Sequence, residues 1–141
     1  MKLFLLLPLT AIFSIGSATA QQPLKTLYEP QIFDGMPVRV MKPLEFDATQ
    51  KYPVIVSLHG AGGRGTKNDK QLKDWNRQLA EPQRRRDFPC YVVAPQAREL
   101  WNADDFDKTK ALIDTLPAVD HDRIYHGPFD GRAWDVHFHS A

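Results

Sequence analysis

A single cysteine, Cys90, stands in 141 residues, so no disulfide can form inside the chain and the core alone must hold the fold. Serine is scarce too: past residue 20 only Ser57 and Ser140 remain. Neither sign of charge is in excess. A formal net charge of +1 leaves no basic surplus for nucleic acid, and 43% hydrophobic content excludes a highly charged disordered chain. The runs "RRRD" and "KNDK" are short and mixed, and they read as solvated surface. Past residue 20 no stretch is apolar enough to cross a membrane. These absences leave one small globular domain.

The apolar residues that are present concentrate first at the N-terminus. "MKLFLLLPLTAIFSIGSATA" carries Lys2, an apolar stretch over Leu3–Ile15, and small residues at Ala18 and Ala20. That pattern predicts a secretory signal over residues 1–20, cleaved before Gln21. A membrane anchor is the competing reading, but the stretch is shorter than the ~20 residues a span needs. The expected location is secreted or periplasmic, with no membrane contact after cleavage.

Residues 21–37 are polar and hold Pro23, Pro30, Gly35 and Pro37, which reads as a leader segment with room for one short strand. Val38–Met41 is a strand ended by Pro43. Val54–Leu58, "VIVSL", is almost continuously apolar, as a strand buried on both faces of a parallel sheet is. Leu72, Trp75 and Leu79 mark a helical face that stops near Pro82. Cys90–Pro95 is a second buried strand, and Cys90 reads as a small packed hydrophobe rather than a catalytic thiol. Phe106, Lys110, Ile113 and Leu116 lie at helical spacing behind acidic residues in the first turn. Arg123–Tyr125 begins a third strand. The order strand, helix, strand, helix, strand predicts an α/β fold, a mostly parallel sheet with flanking helices. Ligands on such sheets sit at the carboxyl ends of strands.

At such an end stands "HGAGGRGTK". Gly60, Gly62 and Gly65 fit the dinucleotide spacing G-x-G-x-x-G, with Glu81 following at a suitable distance. However, the charged stretch "TKNDKQLKDW" suits no helix packed under a pyrophosphate, and Glu81 lies on a helical pattern rather than at a strand end. The phosphate-binding P-loop needs lysine and then Ser or Thr after its last glycine; here Thr66 precedes Lys67. The third reading begins at His59. Small residues after a His-Gly pair leave backbone N–H groups open to a developing oxyanion. A plain glycine turn is the structural alternative.

The stretches "YPVIVSLHGAGGRG", "YVVAPQ", a downstream "LW" and "VDHDRIY", in that order, resemble the amino-terminal half of secreted carboxylesterases, feruloyl-esterase-like enzymes and predicted peptidases of the α/β-hydrolase fold. The resemblance runs over residues 38–125. It implies the amino-terminal part of an α/β-hydrolase fold, truncated, from a serine hydrolase of carboxylic esters or peptides. It implies an oxyanion-hole loop at His59, Gly60, Ala61 and Gly62, with the Ala61 N–H as donor. It implies a substrate cleft bordered by Gln96 and Trp101, although Trp101 also reads as an ordinary half-buried aromatic. No cofactor or metal is expected, and the partner of a full-length parent is a small-molecule or polymer ester. A non-catalytic secreted binding module is the alternative.

What the resemblance requires and the chain lacks is a catalytic triad, which in this fold follows the third strand in the order Ser, acid, His. Ser57 lies inside a strand, and Ser140 has no G-x-S-x-G around it. No catalytic residue is assigned, and the chain as written is expected to be inactive. His137 and His139 form an H-x-H pair, but no acidic residue completes a familiar metal spacing. A half-sheet is also expected to leave an open strand edge and an uncovered apolar face.

Residues 126–141 read as an aberrant tail. With Tyr125 as TAT followed by CAC GGG CCA TTC GAT GGG CGG GCA TGG GAC, reading one base later gives Ile-Thr-Gly-His-Ser-Met-Gly-Gly-His-Gly. That string contains G-x-S-x-G where the resembling family has it. Some positions leave little freedom: Trp134 before Asp135 forces glycine in the shifted frame, and Phe129 allows only Ser or Leu. The expectation is a frameshift after Tyr125. The nucleotide sequence tests it: the shifted frame should encode the serine elbow and stay open. An early stop or a missing elbow sinks the idea.

Overall fold

A computed structural model describes residues 23–127. The elements run α1 (Leu24–Leu27), β1 (Glu29–Phe33), β2 (Met36–Met41), β3 (Tyr52–Ser57), a 3-10 turn (Ala61–Gly63), α2 (Asp74–Leu79), α3 (Pro82–Asp87), β4 (Tyr91–Pro95), α4 (Ala103–Thr115) and β5 (Val119–Gly127). One five-stranded sheet forms in the order β1-β2-β4-β3-β5. β3 pairs parallel with both β4 and β5, as the alternating pattern predicts. β1–β2 and β2–β4 are antiparallel, so the sheet is mixed.

The antiparallel half corrects the reading of residues 21–37 as a leader. That segment carries β1 and the start of β2, closed by Asp34 and Gly35 between the paired Phe33 and Met36. Asp34 (φ 46°) and Gly35 (φ 74°) both take left-handed backbone, the geometry a two-residue hairpin turn requires. Tyr28 of this segment is fully buried, and its hydroxyl donates to the Asn76 carbonyl at 2.9 Å.

Two layers cover the sheet. On one face Val54, Val56, Tyr91 and Val93 pack with Leu112 and Ile113 of α4. On the other, Met41 and Val92 pack with Tyr28, Leu79 and Ala80. This is the period-two alternation of a strand with both faces in use. β4 is buried at every residue, whereas Pro53 and Ile55 of β3 are only half-buried. The continuous apolarity of β3 therefore does not mean equal burial on its two faces.

The helices also depart from the predicted pattern. Pro82 does not merely end a helix: it opens α3 at the first helical position, where its missing N–H costs nothing. Leu72 precedes α2. In α4 the buried face is Thr109, Leu112 and Ile113, while Lys110 and Phe106 are exposed. Asn102 caps α4 by accepting the Asp105 N–H at 3.1 Å, and the Asp105 carboxylate accepts the Asn102 N–H in return.

β5 forms one border of the sheet among the described residues, and His126 and Gly127 extend it beyond Tyr125. Beside it a groove of about 1000 Å³ opens between β3, β5 and the α2–α3 layer, lined by Ile55, Trp75, Leu79, Phe88 and Tyr125 among others. Phe88 is 72% exposed there. The buried Trp75 indole N–H has no hydrogen-bond partner among the described residues. A border strand beside an apolar groove favours association. The isolated chain should bind an apolar-surface dye and aggregate on concentration; a chain that stays monomeric on concentration and binds no such dye would contradict this.

Candidate active-site loop

The loops that leave the carboxyl ends of β3 and β4 meet, and the helices that follow them pack on opposite faces of the sheet. In open α/β sheets such a meeting of loops at adjacent parallel strand ends is where ligands bind. His59, just past β3, is 2% exposed. Its Nε2 accepts the Ala97 N–H at 3.0 Å and its Nδ1 lies 2.8 Å from the Gly60 carbonyl. Since a backbone N–H can only donate, Nε2 must be the acceptor and Nδ1 must carry the proton. Burial holds the His59 pKa below its ordinary value; Lys73 and Arg64 add to this, while the Gly60 carbonyl and Asp105 oppose it.

After Gly60 the chain turns once, with the Gly63 N–H donating to the Gly60 carbonyl at 3.0 Å. A 3-10 turn has no internal acceptor for its first two N–H groups, here those of Ala61 and Gly62. Both residues are exposed, whereas Gly63 is buried. Gly63 has no alternative: a Cβ there would lie 2.3 Å from Cγ of His59. Gly62 has room, its nearest neighbour being Lys73 Nζ at 3.9 Å from such an atom.

Gln96 is fully buried, so its side chain is a tie beneath the loop and does not border an open cleft. Its amide donates to the Gly63 carbonyl at 2.9 Å and accepts the Asn68 N–H at 2.7 Å. Gly65, with φ 144°, donates its N–H to the Ala97 carbonyl at 3.0 Å. Trp101 is half-buried: its indole N–H donates to the His59 carbonyl at 3.0 Å, and its ring lies 4.6 Å from the imidazole and 5.9 Å from the Phe106 ring. The structure thus brings together all the residues predicted for the site, His59, Gly60, Ala61, Gly62, Gln96 and Trp101.

Several residues that matter here were not singled out by sequence. Asn68 takes left-handed backbone (φ 55°) and its amide donates to the carbonyls of Gln31 and Val38, both at 3.0 Å. Gln71 donates to the Asn68 side-chain oxygen. Arg39 donates to the carbonyls of Asn68 at 2.8 Å and Tyr28 at 3.0 Å. Asparagine's tolerance of left-handed backbone was the one available signal, and it is weak.

The nucleotide reading of the loop does not fit. The turn after Gly60 is three residues long and leads into a loop, not a long helix. Glu81 lies between α2 and α3, away from any strand end. Ser57 is 3% exposed and its Oγ accepts the Asn76 amide at 2.9 Å, so it is bound into the structure and cannot reach a substrate. Cys90 is half-buried and burial pushes its thiol up to about 11, which suits a packing residue. Ser140, His137 and His139 lie outside the described residues. No described helix is long and apolar enough to cross a membrane.

No family model matches the chain, and no curated relative does. Solved structures do. A thermostable esterase is 27% identical, with a TM-score of 0.65, over 77% of this chain and 36% of its own length. The chain has the fold of the amino-terminal part of an α/β hydrolase. A dipeptidyl peptidase 4 from Porphyromonas gingivalis (21% identity, TM-score 0.46, 70% of this chain and 16% of its own) is also similar. So is a ferulic acid esterase from Anaeromyces mucronatus (15%, 0.46, 70% and 46%). The chain therefore spans about a third of the esterase.

The Gly63 contact generates a direct test of the loop. Gly63→Ala forces a methyl group into the His59 ring, and overpacking of this kind costs about 1–3 kcal/mol. Denaturant unfolding should show the midpoint lowered with an unchanged slope. Gly62→Ala, which meets only Lys73, should leave the midpoint nearly where it was.

Proposed function

We propose that the chain is the amino-terminal part of an exported serine hydrolase that cleaves carboxylic esters or peptides, and that the exposed N–H of Ala61 is a donor of its oxyanion hole. The observation that carries this is the turn at the end of β3, where the N–H groups of Ala61 and Gly62 lack an internal acceptor on a loop locked from beneath by His59 and Gln96. The likeness to an esterase supports the same class.

Attack on an ester carbonyl puts negative charge on its oxygen. A backbone donor already held in place stabilises that charge without reorganising, and removing one such donor costs about 10²–10³ in kcat. The described residues provide this half of the chemistry and no nucleophile, since Ser57 is engaged with Asn76. On this reading the chain as written is inactive, because Ser140, the other serine past residue 20, has no G-x-S-x-G around it. The apolar stretch and Ala18-Thr19-Ala20 support export to the periplasm or beyond.

A short-chain nitrophenyl ester tests both halves of the reading. The chain as written should show no turnover above background. The product of the gene with its frame restored after Tyr125 should hydrolyse the ester, and Ala61→Pro should lower kcat by about 10²–10³. Proline is tolerated at a first helical position, so the substitution removes chiefly the N–H. Turnover by the chain as written, or full activity in the Ala61→Pro variant, overturns the assignment.

A further inference from the structure

The ring that locks the loop is ionisable, and its place depends on its charge. In the neutral form one nitrogen of His59 donates to the Gly60 carbonyl and the other accepts from Ala97. A proton added at Nε2 turns that acceptor into a donor. Two N–H groups would then face each other across 3.0 Å, at a histidine that is 2% exposed. Such an arrangement must open or reject the proton. The charged groups that face the ring come from three places. Lys73 before α2 and Arg64 in the loop oppose a cation there, and Asp105 of α4 favours one. Gln96 and Ala97, at the end of β4, are neutral.

We propose that His59 is a proton-operated latch: the neutral ring holds the Ala61–Gly63 turn against the end of β4, and proton uptake releases it. The released ring vacates the space against which Gly63 is packed and takes with it the acceptor of the Ala97 N–H. Trp101, which lies on the ring and donates to the His59 carbonyl, moves with it. The Ala61 and Gly62 N–H groups then no longer share one fixed geometry. The latch would act at neutral to acidic pH, whatever ester or peptide the loop serves.

The sign follows from linkage. An exposed imidazole titrates near about 6.5, and the held ring titrates lower. The latch is therefore fully closed above about pH 6.5, and its stability is lost as pH falls through the range below. At about pH 5 the open population rises by up to about thirtyfold.

Hydrogen exchange on the full chain, kept dilute and corrected for the intrinsic pH dependence, tests the latch. The Ala97 N–H reports it, and the Tyr52 N–H, bonded to the Ala118 carbonyl at 2.8 Å at the far end of β3, is the control. Between about pH 7.5 and about pH 5, Ala97 protection should fall relative to Tyr52, by up to about thirtyfold. His59→Gln supplies one acceptor and one donor without titrating, so its ratio should stay flat. A flat ratio in the unaltered chain, or the same acid loss in His59→Gln, overturns the proposal. If His59→Gln does not fold, the exchange ratio of the unaltered chain still decides, together with the ¹⁵N shifts of its ring. These should show a proton on Nδ1 alone at about pH 7.5; a proton on Nε2 or a charged ring overturns the latch. The readout is an amide and not turnover, so the latch and the hydrolytic reading fail separately.

Discussion

A buried neutral imidazole joins the ends of β3 and β4, and the geometry of the loop depends on it. His59 can accept from Ala97 only if its other nitrogen carries the proton, and the Gly60 carbonyl stands where that proton must go. The backbone on both sides of the ring is thereby constrained. Gly63 must lack a side chain because the ring occupies the space. The glycine richness of the loop thus has a steric cause at Gly63, which lies outside the dinucleotide spacing, and a backbone cause at Gly65, the last glycine within it, where φ is 144°. Neither cause involves a phosphate.

The imidazole alone would not order the long connection from Gly63 to α2. That connection is held by a buried polar web, which is stable only because its members are almost all satisfied. Gln96 bonds to Gly63 and to Asn68, and Asn68 reaches both strands of the β1–β2 hairpin through Gln31 and Val38. Arg39 binds the Asn68 carbonyl from β2. The hairpin is therefore part of what positions the loop, although it lies two strands away from β3. On a second path, Tyr28 binds Asn76 of α2, and Asn76 binds Ser57 of β3 and the Lys73 N–H. One serine of the chain is thus committed to holding a helix on the sheet.

How much of this could be read from the residues depended on how local the cause was. β3 and β4 announce themselves by unbroken apolar runs, and the start of α4 by Asn102 and the acids behind it. The turn after His59 was legible as open backbone because small residues follow a strand end. The hairpin was hidden by Pro30 and Pro37, which usually argue against a strand; Pro30 lies in a border strand, where the missing N–H is tolerated. Asp34-Gly35 was the turn signal to weigh against them. Gln96 could not be placed, since a buried amide and a cleft amide look alike in sequence. Its role is set by Gly63 and Asn68, distant in the chain. The division of one helical pattern into α2 and α3 rests on Pro82, which starts a helix as readily as it ends one.

The two faces of the sheet are finished to different degrees, and this bears on how the chemistry is divided. The α4 face is closed by Leu112 and Ile113 over Val54 and Val56. The opposite face leaves Ile55 half-buried, with Trp75, Phe88 and Tyr125 around a groove beside β5. The contacts that fix the loop after His59 lie on β1, β2, β3, β4 or the segments that follow β3 and β4, away from the groove beside β5. The loop can consequently be preorganised by these residues alone, with its donors aimed before any nucleophile is present. A nucleophile brought to the end of β5 would meet a loop already in position, because β5 runs parallel to β3 and Gly127 pairs with Ser57 two residues before His59. Close packing at that point reinforces the alignment: a Cβ on Gly127 would lie 2.7 Å from the Trp75 indole nitrogen, so the strand end is seated against α2. Electrostatic preorganisation needs donors that do not move during reaction. In the proposed reading, that requirement falls to the ties that His59, Gln96 and Asn68 make among the described residues.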